Sequence, residues 1–156
     1  MSQITTRDLL MTALWAVFGI ANADSYVPIG AFFGVRWVDP INVNYGEPQR
    51  VTFEVTSHIS GPNNSTFQFP SQNCQVSGLA NVKLSAERLG VALDRLVCAE
   101  GGGTKAYPIS AYIVGGDGRG DLPGKVENRP NGLPTISIDG RGAGSAVLLK
   151  GLPLSL

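Results

Sequence analysis

At 156 residues, with 12 basic and 12 acidic side chains and no net charge, the chain has the length of one domain. Its charges are spread without runs, which excludes the basic or acidic stripe that nucleic acid or an anionic membrane surface would call for. A single histidine, His58, and two cysteines, Cys74 and Cys98, far apart in sequence, exclude the usual zinc spacings.

The first 23 residues differ from the rest. Arg7 and Asp8 are followed by an apolar run from Leu9 to Ala21, which ends in Ala21-Asn22-Ala23. That order predicts a secretory signal peptide over residues 1–23, cleaved after Ala23, and one domain over residues 24–156. An uncleaved spanning helix needs ~20 apolar residues, more than this run supplies. Export places Cys74 and Cys98 where they can oxidise, so a disulfide is expected, with two buried free thiols as the rival. Closing that loop is worth about 3.5 kcal/mol in the chain-entropy picture.

Past the signal, Ala31–Val38 reads as the first strand. Arg50–Ile59 alternates Val51, Phe53 and Val55 against Thr52, Glu54 and Thr56, the period of a half-buried strand. Gly61-Pro62-Asn63-Asn64 turns the chain. Ser65–Val76 resumes the alternation through Phe67 and Phe69, with Pro70 at an edge or a bulge.

Leu84–Cys98 admits two readings. Ser85 is placed to cap a helix, but Gly90 interrupts it and Leu89, Val91 and Leu93 alternate, so a strand is expected. Lys105–Val114, Pro123–Asn128, Thr135–Ile138 and Ala146–Lys150 complete the set. Short strands bounded by Gly, Pro, Asn and Asp predict an all-β fold, an antiparallel β-barrel or sandwich.

The glycine-rich stretch Tyr112–Lys125 invites a functional reading. As a calcium loop it fails, because Arg119 stands where a ligand belongs, Leu122 where glycine belongs and Asn128 where a bidentate carboxylate belongs. As a phosphate loop it fails because Val126 follows Lys125, and Gly101–Lys105 fails in the same way because Tyr107-Pro108 stands where a helix must start. The tripeptide Arg119-Gly120-Asp121 is short enough to be incidental. A hairpin pairing Tyr112–Val114 with Lys125–Glu127 is expected instead. For catalysis, His58 with Ser57 and Ser60 nearby is the whole stock, and no nucleophile elbow is present.

Four blocks, in order, resemble the periplasmic β-barrel domain of the TraB/TrbI family, scaffold proteins that form rings in type IV secretion and conjugation machines. They are Pro28–Val35, the pair Cys74 and Cys98, the motif Leu84-Ser85-Ala86-Glu87-Arg88, and Gly115-Gly116-Asp117-Gly118 through Gly124-Lys125-Val126. The resemblance spans about Pro28 to Arg129. It singles out Leu84, Ser85, Glu87 and Arg88 as motif residues. It implies a non-enzymatic structural subunit of the outer-membrane-proximal ring, without cofactor, periplasmic or associated with the outer membrane but not spanning it. Its partners would be other ring subunits or copies of itself, joined by strand addition. A free secreted β-sandwich binding module is the alternative, and a small hydrolase using His58 a third.

The resemblance stops short of the family's pattern at both ends: neither the membrane helix and proline-rich linker nor, after Arg129, the helical antenna and closing strands is expected from these residues. An unpaired barrel edge is therefore expected, with Asp117, Gly118, Arg119, Asp121, Gly124 and the C-terminal segment as contact candidates.

Overall fold

The computed structural model describes residues 24–155, so the signal peptide expected over residues 1–23 lies outside the described residues. In chain order the strands are β1 (Asp24–Val27), β2 (Phe32–Trp37), β3 (Ile41–Asn44), β4 (Gln49–Val55), β5 (Ile59–Ser60), β6 (Thr66–Phe67) and β7 (Cys74–Lys83). They continue with β8 (Arg88–Glu100), β9 (Gly103–Gly115), β10 (Leu122–Pro123), β11 (Lys125–Asn128), β12 (Pro134–Ile138), β13 (Gly142–Leu148) and β14 (Leu152–Ser155). The fold is all-β, and the only helical element among the described residues is a single 3₁₀ turn at Pro62–Asn64.

Six strands close into an antiparallel barrel whose wall follows the chain: β2, β4, β7, β8, β9, β13 and back to β2. Each wall strand pairs with the next one in sequence, as in an up-and-down barrel. The remaining strands are excursions. β5 and β6 form a small hairpin on β2. β3 and the β11–β12 pair meet in a three-stranded sheet whose inward residues Ile41, Val43, Ile136 and Ile138 are buried. β1 pairs with β14, burying Val27, Leu152 and Leu154.

The unpaired closing edge expected of the barrel is not there. β13 lies between β9 and β2, with six register pairs to β2 from Gly142–Trp37 to Val147–Phe32, and it shuts the barrel. The tail beyond it is also paired, as β14. Closure comes from residues that are short and weakly apolar, Gly-Ala-Gly-Ser-Ala, because a strand buried by its neighbours needs ladder hydrogen bonds more than large side chains.

The alternation of buried and exposed residues drives the wall. On β8, Leu89, Val91 and Leu93 face inward; past Asp94 the inward set shifts to Leu96 and Cys98. Asp94 is the extra residue of a β-bulge, where β8 advances two residues, Leu93 to Arg95, against one on β7, Gly78 to Ser77. Gly78 is what lets the bulge form, since a Cβ there would collide with the Ala92 carbonyl oxygen. β9 is irregular at the same level, where Pro108, which has no N–H to give, stands opposite Arg95.

The strand reading of Leu84–Cys98 holds: Leu84–Glu87 is a turn, Ser85 caps no helix, and β8 begins at Arg88. The reading of Ser65–Val76 as one strand does not. Pairing stops at Phe67, the chain bends through Pro70 and Ser71, and the ladder restarts at Cys74. Phe69 stays useful by packing edge-on against Phe33 at 5.0 Å. The single strand expected at Pro123–Asn128 is two, split at Gly124 between different sheets.

The expected disulfide is present, joining Cys74 and Cys98, which stand directly opposite each other on β7 and β8. It fastens the end of that hairpin away from its Leu84–Glu87 turn. Reduction, or replacement of both cysteines by alanine, should lower the unfolding free energy by about 3.5 kcal/mol, read from the urea midpoints of the oxidised and reduced protein.

Candidate functional site

The two most distinctive sequence blocks meet in space. Arg88, the last residue of the Leu84–Arg88 motif, opens β8 and turns its side chain beneath the Gly115–Gly124 loop. It is the one buried charged residue among those described, 7% exposed. Its guanidinium donates from Nη1 and Nη2 to both carboxylate oxygens of Asp117, at 3.1 and 3.2 Å. It also donates from Nε to the Gly120 carbonyl at 2.9 Å and from Nη2 to the Asp121 carbonyl at 2.7 Å. The planar fork of arginine suits this set, and lysine has no equivalent geometry.

Asp117 works in two directions. While its carboxylate receives Arg88, Oδ1 also accepts the Arg119 backbone N–H at 3.1 Å, the side-chain closure of an Asx turn. Gly115 N–H donates to the Arg119 carbonyl, Gly118 N–H to Gly115 and Asp121 N–H to Ile113, so the loop is held along its length. The Arg88 hydrogen bonds, aided by the Arg119 N–H, hold the Asp117 carboxyl below its ordinary range against the smaller opposing effect of burial.

The loop then re-enters the barrel. Leu122 is buried and pairs with Leu89 on β8. Asp121 takes a left-handed backbone, φ +65°, and its carboxylate meets Lys83 Nζ at 3.4 Å. Gly124 passes so close to the third sheet that a Cβ would stand 2.5 Å from Ile136 Cγ2.

The expected hairpin between Tyr112–Val114 and Lys125–Glu127 is therefore corrected. One edge of β9 is taken by β13 and the other by β8 as far as Tyr112, beyond which Gly120 and Asp121 bridge to Val114, so no edge remains for residues 125–127, which pair with β12 instead. Of the contact candidates, Asp117, Asp121 and Gly124 are occupied in holding the loop, and Gly118, at φ +79°, makes its turn. Arg119 remains on the exposed tip. Leu84, Ser85 and Glu87 form the exposed β7–β8 turn, with Glu87 at φ +52°. Arg88 is spent on four hydrogen bonds inside the molecule, so its guanidinium fastens the loop and is not free to take an anion.

A shallow polar groove of about 500 Å³ lies beside the disulfide, between Arg36, Glu54, Gln72, Asn73, Gln75 and Thr104. It runs into a smaller one of about 210 Å³ lined by Ser57, His58, Gln68 and Phe69. The serine–histidine pair that a hydrolase needs is not assembled there. Ser57 Oγ accepts from Gly34 N–H and donates to the His58 carbonyl, not to its imidazole. Among the described residues no three or more His, Cys, Asp or Glu side chains gather to hold a metal, and no helix is long and apolar enough to cross a membrane.

Two polar contacts escaped the sequence reading. Arg50 grips Asp94 with two bonds of 3.0 and 2.8 Å, so the bulge residue faces β4 across β7. Tyr107 donates to Glu100 at 2.7 Å, and burial first and this bond second push its hydroxyl up to about 12. The parity break at Asp94, between Leu93 and Leu96, is the signal that would have revealed the first.

Comparison with known proteins finds no matching family model and no similar curated protein.

Arg88→Ala should destabilise the protein by about 3 kcal/mol in urea melts, because it leaves Asp117 and two carbonyls without their donor. Arg88→Lys should recover only part of that. A carboxyl whose folded pKa is depressed stabilises the fold above its unfolded value and loses that contribution as pH falls through the lower folded value. Thermal melts of the wild type should therefore fall below about pH 4 more steeply than those of Asp117→Asn, in which this group no longer titrates.

Proposed function

We propose that the chain is an exported structural subunit of the outer-membrane-proximal ring of a type IV secretion or conjugation apparatus, working through its surfaces and not through a catalytic centre. The observation that carries this reading is the Arg88–Asp117 contact. Two of the four blocks on which the resemblance to the TraB/TrbI family rests, 29 residues apart at these positions, prove to be the two halves of one fastening. Residues that interlock in this way are what a shared barrel would require at those positions, and chance similarity in separate loops gives no reason for them to touch.

The cross-strand disulfide supports placement in an oxidising compartment outside the cytoplasm, to which the signal peptide expected over residues 1–23 would give entry. Because β13 closes the barrel within one chain, its neighbours need not supply the closing strand. They are other ring components or further copies of the chain. The polar groove beside the disulfide supports one other reading, a free secreted binding module.

Deleting the gene from a cell that carries the apparatus should abolish DNA or effector transfer and leave rings without this density in electron micrographs. Normal transfer and intact rings in the deletion strain, with the purified protein monomeric at high concentration, would favour the free module and end the ring proposal.

A further inference from the structure

The barrel wall has one incomplete joint. β2 and β4 share only two register pairs, Val35–Val55 and Arg36–Glu54, extended by the bond from Thr56 N–H to the Gly34 carbonyl. Beyond Arg36, β2 leaves β4: Trp37 turns to Gly142 on β13, its indole donates to the Asp139 carbonyl, and the Val38 carbonyl accepts from Arg141. Gln49–Phe53 are then held by β7 alone.

The ladder fixes which groups are left over. Hydrogen-bonded pairs on the β2 side fall at Thr56 and Glu54, so by alternation the same side of β4 next presents the N–H and C=O groups of Thr52 and Arg50. Val51 and Phe53 send theirs to β7, and their side chains into the core. Over this edge runs a groove of about 360 Å³, floored by Arg50, Thr52 and Glu54 and walled by Trp37, Val38 and Pro40. Val38 is 56% exposed there.

Three features set this edge apart. It belongs to the barrel wall itself. Its charged flanks are neutralised across strands, Arg36 by Glu54 at 2.7 Å and Arg50 by Asp94 at 2.8 Å, whereas on the exposed strand β11 Lys125 and Glu127 pair with each other along the strand at 3.3 Å. And among the charged residues lining the groove, Asp39 has no ion-pair partner among the described residues.

We propose that the open edge of β4 takes up an extended segment of a partner polypeptide, uncharged along most of its length and carrying one basic side chain that meets Asp39. Backbone pairing at Arg50 and Thr52 supplies the affinity, and Val38 and Pro40 supply an apolar wall for alternate side chains. The stretch of β4 left unpaired on this side, Gln49–Phe53, is five residues long, roughly 17 Å of strand. That fits one thin segment and falls far short of the ~1,000 Å² that a stable contact with a second folded copy requires. The inference goes beyond the ring reading and stands without it, because a free binding module with this edge would take the same ligand.

The test uses the oxidised, exported protein and a capped peptide, acetyl-Thr-Val-Lys-Val-Thr-amide, followed by residue-resolved hydrogen exchange. In the free protein the amides of Arg50 and Thr52 should exchange at least tenfold faster than those of Val51 and Phe53. Millimolar peptide should slow Arg50 and Thr52 at least tenfold. Replacing its lysine by glutamate should weaken binding severalfold, and Asp39→Lys should reverse that preference. Thr52→Pro should fold with an unchanged melting temperature, since its N–H is free, and should lose the peptide.

Equal protection of all four amides in the free protein, unfolding of Thr52→Pro, or no slowing at millimolar peptide would each overturn the proposal. So would equal binding of the lysine and glutamate peptides. Protection that grows with protein concentration alone would assign the edge to a second copy and overturn it as well.

Discussion

The structure hangs on the ladder between β13 and β2. An antiparallel wall built in chain order leaves its first and last strands with a row of backbone groups each, and only their pairing removes both rows together. Six register pairs from Gly142–Trp37 to Val147–Phe32 do so. Once the wall is a ring, its inward residues share one core in which Phe33, Phe53, Leu89, Leu96 and Ile113 are almost wholly buried. The excursions can then be spent on covering: β3, β11 and β12 on one flank, and the β1–β14 pair elsewhere. The same ring explains the single weak joint. Trp37 lies edge-on to Phe53 at 5.7 Å and follows β13 more than β4, so the strand that closes the barrel on one side opens it slightly on the other.

Much of this fold was legible where side chains alternate strongly. Val51 and Phe53, or Leu89, Val91 and Leu93, advertise a buried face that no helix would share. What stayed hidden was carried by backbone. β7 is ten residues long, yet its inward positions include the small Gly78 and Ala80, and Leu79 faces outward, so its alternation is faint. β13 is hidden for the same reason, and the sequence suggested only its last few residues. Pro70 misled in the opposite direction: Phe67 and Phe69 keep the rhythm of a strand through a segment where the ladder is already broken, because an aromatic ring can reach the core from a bend.

At the Arg88 fastening, sequence showed the parts and not their relation. Glycine and aspartate between residues 115 and 124 mark a turn in the sequence, and Asp117 does close an Asx turn. No local rule, however, reveals that a carboxylate in one turn receives a guanidinium from the start of another strand. That depends on β8 and β9 being neighbours in register, with Arg88 level with Pro123. The hairpin reading went wrong at this step too, since it paired segments by proximity in sequence while β9 already had both neighbours.

The pairing of β1 with β14 also gives the molecule a mechanical character. Asp24 stands opposite Ser155, so the two ends of the described chain leave the barrel side by side and the ladder between them runs four pairs inward to Val27 and Leu152. A pull that separates those ends would load the outermost pair first and open the ladder pair by pair, like a zip, before any force reached the wall. Tension applied at Asp24 and Ser155 would thus meet this four-pair seam before it reached the wall of the barrel.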